Sequence, residues 1–374
     1  MDKVKTMKIF FKLSILFLIV SSLVSCNDPI FNTVFGETPI LKPFIDGSPT
    51  NFAEYGGKLY VASGKQIYSY NGSSWSKWKK LSERIGGLAA TTGANGSLYA
   101  FYLENDKKGR IRNCTADSDV SLSGNVQSIH ASGDTLFASV RESDSNYKFH
   151  FKKGSADFKE IPETISKEVL KGVAFDGVYY YLCTYYGIFY VEASQINTES
   201  KLPVLLENEE FTGIINLEIN NRVAAITRKG NLYEIYDKTT SKKAEFSNDR
   251  YSSGALAVWY RYKGDTSPSL LLVGRSEHYY STNTGYTNGY VEITLDAAGI
   301  SGSEFNDPGK GTPTSVDDYD PYVSSLGKKP VNHLLQAPEA IDSEMTLFAS
   351  THQNGVWSYR YRSRDEKILW NAEQ

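Results

Sequence analysis

The chain has 374 residues, and 40 basic against 43 acidic side chains give a formal net charge of −3. A weakly acidic chain argues against nucleic acid as a partner, and three cysteines are too few for a disulfide-stapled scaffold. Its 26 tyrosines and 18 phenylalanines are residues that favour strands over helices.

The N-terminus opens with Lys3, Lys5 and Lys8, runs through the apolar block Ile9–Val20 and reaches Leu23-Val24-Ser25 just before Cys26. The apolar block is too short to span a membrane comfortably and is followed by small residues, the pattern of a cleaved export signal. Residues 1–25 resemble a bacterial lipoprotein signal peptide with its lipobox. The resemblance implies cleavage before Cys26, a diacylglyceryl thioether on its sulfur and an acylated amine. Two or more acyl chains, at roughly 0.8 kcal/mol per buried methylene, hold a soluble domain on a bilayer. An ordinary secretory signal with an incidental cysteine is the alternative. Four lysines and one aspartate leave with the signal, so the mature 349 residues carry a charge of −6. Localisation is expected to be the bacterial cell envelope. The outer membrane is favoured, with the facing side left open; Asn27 is not the aspartate associated with inner-membrane retention in some bacteria, but sorting rules vary too much for that residue to decide.

Residues 26–49 contain Pro29, Pro39, Pro43 and Pro49 and read as a lipidated N-terminus and tether; Ile30–Phe35 could instead add an edge strand to the last repeat. Beyond them, Lys58–Tyr70 (KLYVASGKQIYSY) is an alternating aromatic strand, a Ser-Gly turn and a second aromatic strand. Its pattern returns at Ser97, Thr135, Val178, Arg222, Leu270 and Thr346. The short, small-residue strands that begin each repeat start at Asn51, Gly87, Gln127, Leu170, Gly213, Ala255 and Asn332, at intervals of 36, 40, 43, 43, 42 and 77. Five of these lie near the period of about 40 to 50 residues that four strands per unit require.

Within a repeat, small residues such as GLAA at Gly87 suit strands crowded around an axis, and the aromatics of the second and third strands suit the widening space between sheets. This all-β pattern resembles a β-propeller of about seven four-stranded blades, six or eight being the alternatives, over residues 50–374 with an insertion at 296–330. WD pairs and sialidase boxes are missing, and the kelch-like Gly56-Gly57 with Tyr60 and Trp75 occurs in the first repeat alone. The resemblance implies that loops joining second to third strands, and one blade to the next, share the usual ligand face. Arg275–Asn288 and Asp296–Pro330 are such loops.

His278, Tyr279, Tyr280 and Tyr286 make the most aromatic loop, whose rings and hydroxyls suit a sugar or a protein hot spot. Asp317, Asp318 and Asp320 add a second candidate binding cluster, and no metal is expected there because the alternating spacing of a calcium loop is missing. The five histidines show no HExxH and no paired ligand spacing. His130 and His333 fall on first strands, where they could line the central channel; core histidines satisfied by backbone groups are the commoner reading. No nucleophile elbow or phosphate loop is present, so neither a cofactor nor catalysis is expected. Cys183, within YYYLCTYY, reads as a buried free thiol, with a disulfide to Cys114 as the alternative. The functional expectation is a lipid-anchored envelope protein that binds another protein. A carbohydrate-binding or adhesion module is one alternative. An enzyme acting on envelope polysaccharide is the other, and would require carboxylates about 5–10 Å apart in the channel.

Overall fold

The computed structural model describes residues 43–105, 108–143, 146–166, 169–196, 198, 202–246, 252–275, 289–301, 326, 329–360 and 369–373. They form seven four-stranded antiparallel sheets, each a meander in chain order, arranged as a seven-bladed β-propeller. The innermost strands are Ala53–Tyr55, Arg84–Ala90, Asn125–Ser132, Leu170–Phe175, Phe211–Asn216, Ser252–Trp259 and Val331–Gln336. The predicted repeat starts therefore fall within three residues of the observed ones. In the sixth blade the outermost strand is Gly299–Ile300, directly after the third strand Gly289–Asp296.

Seven apolar clusters fill the spaces between sheets, one at each junction. The junction of blades seven and one is aromatic, with Phe52, Tyr68, Tyr70, Trp75 and Phe348 packed together. The junction of blades five and six is aliphatic, built from Leu217, Ile226, Val258, Leu271, Ile293 and their neighbours. The sequence pattern has the same origin: second- and third-strand side chains point into the wedges, and first-strand side chains meet where the wedges narrow.

Polar side chains stitch the junctions as well. Asn51 bridges blades one and two through both backbone groups of Leu88, and Gln336 does the same for Tyr260 across blades six and seven. The Asn125 side chain accepts from the Gly109 N–H between blades two and three at 2.8 Å, and that of Asn216 accepts from the Phe175 N–H between blades four and five at 2.9 Å. The Ser128 hydroxyl donates to the Leu170 carbonyl between blades three and four at 2.8 Å. Blades five and six are joined by the Tyr260 hydroxyl donating to Glu218, and by Glu234, whose Oε2 accepts from the Ile300 N–H at 2.7 Å. Each bond satisfies a backbone or side-chain group that would be costly to bury unpaired.

Blade seven is composed wholly of C-terminal strands, and the chain ahead of blade one closes the ring against it. The Phe44 N–H donates to the Glu373 carbonyl at 2.6 Å, while Ile45 and Gly47 carbonyls accept from Val356 and Gly355 N–H at 3.1 and 2.9 Å. Ile45 is 0% exposed and packs with Phe52, Phe348 and Val356. Among the described residues the ring thus begins at Phe44, ahead of the Thr50 at which the repeat pattern becomes visible. Ile30–Phe35 lies outside the described residues.

Candidate functional site

Six of the seven innermost strands carry a β-bulge, and all six bulges sit at nearly the same level of the ring. One extra residue stands between Ile85 and Gly87, between Val126 and Ser128, between Leu170 and Gly172, between Phe211 and Gly213 and between Val331 and His333. In blade six the break falls between Ser252 and Leu256. A bulge leaves its extra residue outside the ladder and re-aims that side chain. Here the residues so placed are Gly86, Gln127, Lys171, Thr212, Asn332 and, in blade six, Ser253 with its two successors. Asn51, just ahead of the first blade's inner strand, takes the corresponding place.

The sequence signal for this ring is a small or polar residue followed by glycine at four strand starts: Gly86-Gly87, Lys171-Gly172, Thr212-Gly213 and Ser253-Gly254. Three of the second glycines, Gly172, Gly213 and Gly254, are needed because neighbouring inner strands touch. A Cβ on Gly213 would lie 2.1 Å from the Gly254 carbonyl oxygen, and one on Gly172 would lie 2.8 Å from Ile214 Cγ2.

The space enclosed is an open channel of about 1340 Å³. At one end it is lined by bulge residues including Lys171, Thr212, Ser253 and Asn332. At the other it is lined by Glu54 and Tyr55 at the end of the first blade's inner strand and by connections between first and second strands, which contribute Glu218, Tyr260, Asp265 and Glu339. No turn between second and third strands is among the described lining residues. The channel is therefore electrically polarised, with carboxylates at the mouth and a lysine at the bulge ring.

The mouth is partly pre-arranged. Tyr260 holds the Glu218 carboxylate through its hydroxyl, and Glu218 keeps a left-handed backbone, φ 58°. Burial, and next the Glu218 charge, push the Glu54 carboxyl above its usual range, so the two acids sense one another across the opening. Glu339 is offset by Lys263 at 3.3 Å, and Asp265 accepts from the Tyr262 N–H at 3.0 Å. Tyr262 beside this rim is 61% exposed.

Both channel histidines are held by backbone groups. His130 Nε2 pairs with the Leu170 carbonyl at 3.0 Å, and His333 Nδ1 accepts from the Phe52 N–H at 3.4 Å. Burial pushes each imidazole down to about 4, aided for His130 by the Lys171 charge and for His333 by His130. Both are neutral at physiological pH. Cys114 and Cys183 are buried free thiols, so the disulfide alternative is not the arrangement found. Burial raises Cys114 to about 11 and raises Cys183 as well, which leaves both as poor nucleophiles.

The predicted loop residues His278, Tyr279, Tyr280 and Tyr286 lie outside the described residues, as do Asp317, Asp318, Asp320 and the lipidation candidate Cys26. No group of three or more metal-ligating side chains occurs among the described residues. Sequence reasoning missed the bulge ring and the acidic mouth, because isolated Glu54, Lys171 and Glu218 have no local motif and come together through the closure of the ring.

No family model matches the chain, and no curated protein does. Among solved structures the fold recurs widely. A chain of the mitotic checkpoint complex is 11% identical with a TM-score of 0.54, over 84% of this chain and 90% of that one. The GH74 enzyme of Niastella koreensis is 11% identical with a TM-score of 0.60, over 89% of this chain and 55% of that one. The extracellular domain of the BT4673 system from B. thetaiotaomicron is 14% identical with a TM-score of 0.53, over 87% of this chain and 40% of that one. The chain thus spans about half or less of the last two. Likenesses this distant carry the fold, a seven-bladed β-propeller, and nothing finer.

Proposed function

We propose that the chain is a lipid-anchored binding protein of the bacterial cell envelope, attached to the membrane through Cys26, whose propeller is a docking platform for another envelope protein and not a catalyst. The signal-like N-terminus supports the anchor. The observation that carries the platform is the channel: seven stitched junctions hold open a space of about 1340 Å³ that first-strand side chains do not fill. A closed ring presents loops and turns on a frame that need not reorganise when a partner arrives, and preorganisation of this kind lowers the cost of binding.

A second reading, a glycan ligand, is favoured by the mouth itself, where Tyr55 and Tyr260 stand with Glu54 and Glu218 around the opening. Rings that offer a flat face and a hydroxyl suit sugars as well as proteins.

Affinity capture from the producing cell's envelope with the full chain separates these readings. One comparison variant has Tyr279, Tyr280 and Tyr286 replaced by Ala, and another has Tyr55 and Tyr260 replaced. A specific protein retained by the wild type and lost by one variant supports the platform and identifies its face. Retained glycan without protein would replace the first reading with the second, and cleaved glycan would make the chain an enzyme.

A further inference from the structure

We propose that the bulge ring is an anion-binding site, with Lys171 supplying the charge and the neighbouring bulges and His333 supplying neutral hydrogen-bond groups, for a carboxylate or phosphate carried by a ligand in the channel. The proposal goes beyond the platform reading and does not depend on the lipid anchor or on which macromolecule docks.

Lys171 is exposed to the channel, and among the described residues it has no ion pair and no hydrogen-bond partner. What sets Lys171 apart from the other described lysines without an ion pair is its place: it is the lysine that lines the channel. The bulge between Leu170 and Gly172 is the device that turns this side chain off the ladder. The equivalent bulge in blade seven presents Asn332, also exposed and without a described hydrogen-bond partner. Thr212 and Ser253 line the same level.

His333 completes the set. Because its Nδ1 accepts from Phe52, the neutral ring carries its proton on Nε2, a donor with no partner among the described residues. Of the carboxylates that line the channel, Glu218, Asp265 and Glu339 lie beyond the far ends of the inner strands, and Glu54 is one residue short of the end of its own. Three or four strand residues separate the two levels, about 10 Å. A bound anion therefore meets a cation and neutral donors, while repulsive charges stay at the opposite mouth. Charge-assisted hydrogen bonds are the strong ones in such a site.

The test uses the full-length chain and two probes, inorganic phosphate and glucuronate, titrated calorimetrically at an ionic strength held constant with chloride. Saturable binding of at least one probe is expected, weakened roughly tenfold or more in Lys171→Gln, the cost of losing a hydrogen bond to a charged group. Lys171→Arg should retain it. Asn332→Ala, a change at an exposed side chain, should weaken it less. Which probe binds distinguishes a phosphoryl from a carboxylate ligand. The proposal is overturned if neither probe binds above the chloride control, or if Lys171→Gln binds as tightly as the wild type while keeping its thermal transition.

Discussion

The Asn51 side chain makes both halves of a backbone-like pair with Leu88 in the next blade, accepting from its N–H at 3.0 Å and donating to its carbonyl at 2.7 Å. One amide thus replaces the strand neighbour that the innermost edge of blade two lacks. Replacing Asn51 with Ala should lower stability by about 2 kcal/mol, since two backbone groups lose their partner in a partly buried place. Gln336→Ala, which breaks the matching pair with Tyr260 two junctions away, should cost a similar amount. The two should add, because the sites share no partner. Urea midpoints at constant slope would measure this; unchanged midpoints would mean that the amides are decorative.

The channel histidines make the fold acid-sensitive. Both have folded-state pKa values lowered to about 4, against about 6.5 in an unfolded chain. A lowered value means that the unfolded state takes up protons first. The contribution is therefore complete above pH 6.5 and is lost as pH falls from 6.5 towards 4, at most about 3 kcal/mol for each ring. Unfolding free energies at pH 7.5 and 5 should differ accordingly, and the difference should shrink in a His130→Gln, His333→Gln double variant. A flat profile in the wild type would contradict the burial of these rings.

Glycines at the axis and at the rim should respond differently to alanine. Gly254 has φ +85°, and a Cβ there would lie 2.1 Å from the Thr212 carbonyl oxygen. Gly254→Ala should cost about 3 kcal/mol or more, or prevent folding, since backbone must move against backbone. Gly56 has φ +57°, and a methyl group added there would meet nothing within 4 Å. Gly56→Ala should therefore cost about 1–2 kcal/mol, the strain of the left-handed region alone. Thermal unfolding of the pair checks the contrast.

Glu234 is 3% exposed and receives Arg222 Nη1 at 2.6 Å, Lys243 Nζ at 3.4 Å and the Ile300 N–H at 2.7 Å. Truncation to Ala strands two cations and a strand N–H, and should cost about 3–5 kcal/mol. The local readout is amide exchange at Ile300, which should accelerate more than exchange at Leu271 in the same blade. Equal acceleration at both would mean that Glu234 supports the whole blade and not its outer strand.

If the N-terminus is processed as its sequence pattern predicts, Cys26→Ala should yield an unlipidated precursor and release the protein from membranes. Fractionation with acyl labelling reads this directly. Membrane association and labelling that survive the change would remove the anchor from the proposed function.

The repeat architecture was legible because it is written in local alternation: Leu59, Val61, Leu98, Ala100, Leu136 and Ala138 are buried wedge residues spaced two apart. Strand ends followed from Gly and Asn turns. What escaped was non-local. A bulge adds one residue without changing composition, so Lys171 reads like any strand lysine until Leu170 and Gly172 are seen paired with adjacent residues, Thr184 and Cys183. Glu54 and Glu218 are far apart in sequence and meet across a channel that exists once all seven blades are present. Ile45, between Pro43 and Pro49, carries no periodic signal because the segment it belongs to pairs with a single distant blade.

That last pairing is also where the ring closes. Ile45 and its hydrogen-bond partner Val356 are separated by about three hundred residues of chain. Loop closure over so many residues is the slow kind of contact formation. The aromatic flank around Phe52 and Trp75 is covered by Phe348 of the last blade, a residue distant in sequence. The pairing of Phe44, Ile45 and Gly47 with the last blade therefore acts as a latch, and opening it would bare the aromatic flank of blade one and the facing side of blade seven together.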